Sequence, residues 1–303
     1  MTTASLTDLL TPAAAAGRGV GAFNVFSLEH AEALVAGAAQ AGTPVVLQLS
    51  QNAVRYHGSL APIALATLAL ARASEVRAVV HLDHATDVDL VHEAVELGVG
   101  SVMFDGSELG YDDNVRVTAE VVAHCHARGV DVEAELGEVG GKDGVHAPGV
   151  RTRPDEAAAF VAATGVDALA VAVGSSHAMT ERSAALDLAL ITELEDAVPV
   201  PLVLHGSSGV PDEEIIRAVR AGMTKINIAT HLNKVFTAAV RETLQAEPDL
   251  VDSRKYLAPA RDAMAAETAR LLIMLDGADS PARAPRRPDD AGRRPGSGRA
   301  PTR

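Results

Sequence analysis

The stretch Ala78-Val79-Val80-His81-Leu82-Asp83-His84 carries the strongest chemical signal in the sequence. A run of apolar and β-branched residues enters a His, an Asp and a second His, and Thr86-Asp87 behind them has the composition of a helix start. The pattern predicts a buried strand whose carboxyl end delivers the Asp83 carboxylate beside the His84 imidazole. Buried strands seldom end in titratable residues unless something binds there. A carboxylate next to a metal-ligating histidine suits metal-assisted proton abstraction, with the metal as electron sink and the carboxylate as base. The plainer alternative is a strand end at which Asp83 caps the next helix and the histidines face water. Matching ligands at other strand ends would decide between the two.

The elements that must position these groups repeat. Short β-branched strands are expected at 21–25, 45–49, around Val79, and at 101–104, 130–134, 168–173, 202–204 and 225–228. Helical, alanine-rich segments follow them at 28–40, 63–73, 88–97, 115–127, 155–163, 186–197, 213–221 and 232–245. Eight β-then-α units point to an α/β fold, a (β/α)8 TIM barrel, with a doubly wound open sheet as the competitor. Residues 256–275 read as a C-terminal helix packed on the barrel. From 278 to 303, Pro, Arg, Gly and Ser dominate without apolar periodicity, which predicts a disordered tail behind a single domain over 1–277.

In a barrel the carboxyl ends of all strands converge on one face. Those ends carry Asn24, Ser50, Asp83-His84, Asp105, Glu135, His177, His205-Gly206-Ser207-Ser208-Gly209, and Asn227 with Thr230. Each histidine alone would be read as hydrogen-bonded and metal-free. Three of them at corresponding ends, His84, His177 and His205, could meet one metal, and three imidazoles with an open position are the ligand set of a catalytic zinc. Asp105 and Glu135 could support a second metal position, orient the histidines from behind, or cap helices. The Gly206–Gly209 loop, ahead of a helix with Pro211 near its start, can offer backbone N–H groups to a phosphate. Asn227 and Thr230 lie near where barrel phosphate sites are commonly built. His124-Cys125-His126 falls at a helix end away from that face, and His57, His92 and His231 have no evident partner. Of the four lysines, Lys225 could form a Schiff base only if it lay deeper in the barrel than a strand start.

Composition sets the outer bounds. At 303 residues, 48% hydrophobic and 22% charged, the chain can bury a sizeable core. It has no run of about 18 uncharged apolar residues, so no membrane span is expected. Met1-Thr2-Thr3-Ala4-Ser5 lacks the basic start of a signal peptide. A single cysteine, Cys125, excludes an internal disulfide and suits a cytoplasmic location. The net charge is −14, and the tail from 279 onward contributes +4 from seven Arg and three Asp, so the body is more acidic still. That body argues against a nucleic-acid partner. An anionic substrate would be held by local devices such as a metal and backbone N–H groups.

Taken together, these residues resemble the class II metal-dependent ketose-bisphosphate aldolases, of the fructose/tagatose-bisphosphate type. The matching segments are Gly21-Ala22-Phe23-Asn24-Val25, His81-Leu82-Asp83-His84, Phe104-Asp105-Gly106-Ser107, Glu133-Ala134-Glu135-Leu136-Gly137 and Gly140-Gly141. They continue with Val203-Leu204-His205-Gly206-Ser207-Ser208-Gly209, Lys225-Ile226-Asn227-Ile228-Ala229-Thr230 and Arg254-Lys255-Tyr256-Leu257, and span residues 5 to 275 in order. The resemblance implies reversible cleavage of a ketose 1,6-bisphosphate to dihydroxyacetone phosphate and glyceraldehyde 3-phosphate. It implies zinc on His84, His177 and His205, Asp83 taking the proton from the C4 hydroxyl, and Asp105 and Glu135 at an alternative metal position. Gly174, Gly206, Ser208, Asn227 and Thr230 would bind the ketone-side phosphate and a monovalent cation, with Ser207 in the same loop. Ser50 and Arg254 would meet the far phosphate, the arginine coming from a neighbouring subunit of a homodimer or homotetramer.

The sequence departs from that pattern at three places. Ala178 stands where the family usually has Gly beside a phosphate. After Gly140-Gly141 the family places a Glu that helps protonate the enediolate, and here Lys142-Asp143 follows, with Asp143 the nearest substitute. Ala229 replaces the Asp of the fructose-specific branch, which resembles the tagatose-bisphosphate branch, although His231 replaces the usual Glu of that branch. These changes leave open two alternatives: an aldolase for another phosphorylated ketose, or a weakly active metal-binding subunit that needs an accessory subunit. A metal-dependent hydrolase fits the ligands but leaves Asn227 and the phosphate-like loop without a role.

Overall fold

The computed structural model describes residues 4–136, 151–175 and 182–277. Eight parallel strands close into a barrel in chain order: β1 (Val20–Asn24), β2 (Val45–Ser50), β3 (Ala78–Ala85), β4 (Ser101–Phe104), β5 (Asp131–Leu136), β6 (Ala168–Val171), β7 (Leu202–Leu204) and β8 (Met223–Ile228). The helices are α1 (Leu6–Ala15), α2 (Leu28–Ala41), α3 (Gln51–His57), α4 (Ala61–Ala73), α5 (Val88–Leu97), α6 (Tyr111–His126), α7 (Pro154–Thr164), α8 (Leu188–Ala197), α9 (Asp212–Ala221), α10 (Thr230–Ala246) and α11 (Ser253–Asp276). The closed sheet bears out the TIM-barrel expectation over the open-sheet one. The tail expected from residue 278 lies outside the described residues.

Strand alternation sorts the side chains into two cores. Val45, Leu47, Leu49, Val80 and Leu82 face outward and pack under the helices. Val46 and Val79, one residue out of step, point inward with Val20, Ala22, Ala168, Ala170 and Val203. This inner set is apolar only at the amino ends of the strands. There it meets Leu6, Leu9, Leu10 and Ala13 of α1, so that this helix closes the floor of the barrel. Each buried leucine contributes about 1.5–3 kcal/mol relative to exposure.

Sequence reasoning left α1 unassigned, although its start is encoded. Ser5 Oγ accepts from the Asp8 N–H at 3.2 Å and the Asp8 carboxylate accepts from the Ser5 N–H at 3.1 Å, a reciprocal cap ahead of apolar residues at helical spacing. A second unexpected helix, the short α3, begins directly at the end of β2 with Ser50 as its cap. With the floor sealed by leucines, the carboxyl ends of the strands form the face on which chemistry can be built.

Candidate active site

On β3, alternation puts Val79, His81 and Asp83 on the inner face and would turn His84 outward. The pairing of β3 with β4 shifts register between Leu82 and Ala85, and His84 adopts a left-handed backbone (φ 50°). An extra residue in a ladder bends the strand and re-aims a side chain. Here it leaves two adjacent residues serving one site: Asp83 inward, and the His84 ring 4.7 Å from the His205 ring at 68° between planes. A left-handed non-glycine residue costs about 1–3 kcal/mol, and such strain gathers at functional sites.

His84 Nδ1 donates to Asp105 Oδ2 at 2.8 Å, and Asp105 Oδ1 accepts from the Ser107 hydroxyl at 2.6 Å. On the facing strands, His205 Nδ1 lies 3.1 Å from Glu135 Oε2. Donor atoms of His84, Glu135 and His205 all fall within 4.8 Å of one another, the one group of three or more possible metal ligands among the described residues. Two imidazoles and a carboxylate form a donor set that zinc accepts, so the residues present fit that ion. His177, the third histidine expected here, lies outside the described residues, as do Ala178 and Asp143.

Asp83 is buried, and Gln48 Nε2 donates to its Oδ1 at 2.7 Å. Burial alone would raise the Asp83 carboxyl, but the neighbouring His84 ring, and after it Lys225 and His205, outweigh burial and hold the group below its ordinary range. Asp83 is therefore an ionised carboxylate beside the His84 and His205 imidazoles.

Beneath this mouth lies a charged layer. Glu133, Lys225, His81 and His205 are all fully buried. Lys225 Nζ stands 2.8 Å from Glu133 Oε2, and His205 Nε2 donates to Glu133 Oε1 at 3.0 Å. Burial opposes the Glu133 charge, yet Lys225 and the bond from His205 hold its carboxyl far below the usual range. His205, also opposed by burial, is pushed up to about 9 by its hydrogen bonds to Glu133 and Glu135. His81 goes the other way: burial and the Lys225 charge push it down to about 3, and its Nδ1 meets the Ser101 hydroxyl at 2.7 Å. Lys225 thus lies deeper than a strand start, but it is engaged by a carboxylate.

The phosphate-like loop is built as follows. Gly206 takes the left-handed conformation (φ 68°) and starts a single 3-10 turn, Ser207–Gly209. Ser207 Oγ donates to the Leu204 carbonyl, and Ser208 Oγ accepts from the N–H groups of Ala229 and His231 at 3.2 and 3.3 Å. Ser208 therefore caps the start of α10, whose first residue is Thr230, and ties the loops after β7 and β8 together. Asn227 Oδ1 in β8 is buried without a hydrogen-bond partner. Gly174 has φ 117°, and a Cβ there would come within 2.7 Å of the Ala185 carbonyl, so only glycine fits. Asn24 ends β1 beside Gln48 in register. Ser50 Oγ accepts from the Ala53 N–H as the cap of α3. Arg254 stands apart at the start of α11, 89% exposed and paired with Asp252.

Gln48 and Glu133 escaped sequence reasoning, and each is a polar residue inside an apolar strand, which is the signal that marks them. The histidines without an evident partner acquire one. His231 Nε2 bonds Glu267 at 2.6 Å, His57 Nε2 bonds the Phe26 carbonyl at 2.9 Å, and His92 stacks on His124 at 3.8 Å.

Comparison with known proteins agrees with this geometry. Residues 4–280 match the family model described as fructose-bisphosphate aldolase class-II. The chain is 39% identical over 270 residues to a fructose-bisphosphate aldolase of Geobacillus stearothermophilus, covering 88% of this chain and 94% of that one. It is 40% identical over 265 residues to a probable fructose-bisphosphate aldolase of Bacillus subtilis, covering 86% and 93%. Among solved structures, a putative fructose-1,6-biphosphate aldolase from Coccidioides immitis superposes with a TM-score of 0.80 at 31% identity, covering 89% of this chain and 96% of that one. The YdjI aldolase of Escherichia coli K12 superposes with a TM-score of 0.78 at 29% identity, covering 91% and 99%. The chain belongs to the class II fructose-bisphosphate aldolase family, whose members are zinc-dependent aldehyde-lyases.

Proposed function

We propose that this chain reversibly cleaves a ketose 1,6-bisphosphate between C3 and C4, giving dihydroxyacetone phosphate and glyceraldehyde 3-phosphate. The observation that carries the proposal is a buried, ionised Asp83 placed beside the donor cluster of His84, His205 and Glu135. His84, His177 and His205 would hold the zinc, with Asp105 and Glu135 able to support an alternative position. When bound, zinc supplies Lewis acidity to the ketone carbonyl and to the charge that develops as the bond breaks.

The chain's own residues do the rest. Asp83 takes the proton from the C4 hydroxyl, and Gln48 holds that carboxylate in place. The Gly206–Gly209 turn, with Gly174, Asn227 and Thr230, receives the ketone-side phosphate through N–H and hydroxyl donors and a monovalent cation through oxygen atoms. The unpartnered Oδ1 of Asn227 supports a polar ligand there. Asp143 returns a proton to the enediolate. Arg254, exposed at the start of α11, supports a homo-oligomer in which it reaches a neighbour's substrate. The lone buried Cys125 suits the cytoplasm.

Fructose and tagatose 1,6-bisphosphates differ at C4, the carbon whose hydroxyl Asp83 meets. Ala229 offers no polar side-chain atom beside the phosphate loop, which supports tagatose as the better substrate. The test is triose phosphate release from both sugars by zinc-loaded protein, with an EDTA-treated control and Asp83→Ala. Cleavage should stop with EDTA and fall by about 10²–10⁴-fold in the variant while zinc is retained. Silence on both sugars with zinc bound would overturn the function. Cleavage of fructose as fast as tagatose would overturn the preference.

A further inference from the structure

Glu133 on β5 and Lys225 on β8 are not neighbours in the barrel, and their side chains meet across its interior, fully buried. One Glu133 oxygen takes Lys225 Nζ at 2.8 Å and the other takes His205 Nε2 at 3.0 Å. A buried ion pair is an inefficient way to fill a barrel core, because apolar residues of the same volume are often as stable or more so. Stability therefore gives little reason for this pair, whereas the geometry around His205 gives a definite one. A neutral imidazole that binds a metal through one nitrogen keeps its proton on the other, and the partner of that proton decides which nitrogen is presented.

Glu133 accepts at Nε2, which keeps a proton there. Without metal, Nδ1 also meets a carboxylate, Glu135 Oε2 at 3.1 Å, and it is this nitrogen, beside the His84 ring and within the cluster of possible ligands, that would exchange its proton for a metal. Lys225 draws the second oxygen of Glu133 toward β8, which leaves the first turned to His205 Nε2. The imidazole of His81, close by, has its Nδ1 on the Ser101 hydroxyl and its Nε2 3.9 Å from Glu133, too far to compete for the acceptor.

We propose that Glu133 and Lys225 are positioning residues that set the tautomer of His205, so that Nδ1 is the nitrogen presented to the metal. This rests on the assignment of His205 as a zinc ligand, and goes beyond it by naming the residues that prepare the ligand and the atom they select.

The test uses full-length protein, metal-free and zinc-loaded. Zinc affinity is read by competition with a chromogenic chelator in wild type, in Lys225→Met, and in the double variant Glu133→Leu/Lys225→Met, which removes both charges together and leaves neither stranded. Circular dichroism establishes that each variant is folded. The folded double variant should bind zinc about 10–100-fold more weakly than wild type, and an unchanged affinity would overturn the proposal. A second measurement needs no variant to fold. In zinc-loaded wild type with 15N-labelled histidine, long-range 1H–15N correlation should show His205 protonated at Nε2 and metal-bound at Nδ1. The opposite pattern would overturn the proposal. If zinc loads in this way but no triose phosphate is released, the proposed activity fails and the positioning role stands. If His205→Ala binds zinc as tightly as wild type, the ligand assignment fails, and this inference with it.

Discussion

Gln48→Met separates what the barrel interior does for stability from what it does for catalysis. Gln48 is fully buried on the inner face of β2; its Nε2 donates to Asp83 Oδ1 at 2.7 Å, while its Oε1 is buried with no hydrogen-bond partner. Methionine keeps the length and volume of the side chain, so packing is little disturbed. The substitution removes a hydrogen bond to a charged group, about 1.5–3 kcal/mol, and also a stranded acceptor whose burial costs about 1–3 kcal/mol. The two nearly cancel, so unfolding free energy should change by no more than about 1 kcal/mol. Catalysis has no cancelling contribution, because Oε1 holds nothing at Asp83. If the full 1.5–3 kcal/mol is lost in the transition state, kcat falls about 10- to 150-fold. KM should move little, since no residue expected at the phosphates is touched. Thermal melting and steady-state cleavage of fructose 1,6-bisphosphate by the zinc-loaded variant check both halves. A wild-type kcat with a lowered Tm would show that Gln48 only packs the core, and would refute the role given to it.

Four further outcomes are expected. Leu10→Ala, in the floor helix at the end opposite the site, should cost about 2–5 kcal/mol of stability and leave kcat unchanged; denaturant unfolding and kinetics read the two sides. Ser208→Ala strands the N–H groups of Ala229 and His231, so the start of α10 should lose about 0.5–2 kcal/mol and KM should rise more than kcat falls. Burial raises the Asp212 carboxyl, but Arg182 and Arg270 more than reverse this and hold it below its ordinary 3.8. A lowered folded value gives stability that is present above the ordinary value and lost as pH falls through the folded one. Asp212→Asn should therefore lower Tm at neutral pH, with the gap to wild type closing below about pH 4. The Cys125 thiol is fully buried and pushed up to about 11 by that burial, so it should resist alkylation in folded protein at pH 8 and react fully after unfolding.

The barrel was legible because its strands are short apolar runs broken at their carboxyl ends by His, Asp, Asn and Ser, and its helices are rich in alanine. What remained hidden depends on closure. The apolar face of α1 is plain at Leu6, Leu9, Leu10 and Ala13, but it has a purpose only when eight strand starts form a floor for it to seal. That His84 turns inward beside Asp83 is invisible to a period-two pattern, which sends adjacent residues to opposite faces; the register shift and the left-handed backbone reverse it. Lys225 looked like a strand start because the apolar run begins after it, yet β8 starts two residues earlier and carries the side chain into the interior.

The same closure explains why so many charges can be buried under one mouth. Read singly, Glu133 and Lys225 lie in two strands and His205 directly follows a third, and each would be costly inside an apolar core. Across the closed barrel, the Glu133 carboxylate faces the Lys225 ammonium with one oxygen and the His205 ring with the other, so both of its acceptors are engaged. An apolar floor, a neutralised ionic layer and a polar rim then follow one another along the strands. The ionic layer sets the Lys225 ammonium near Asp83 and the Glu133 carboxylate against the His205 ring, above the leucines of α1.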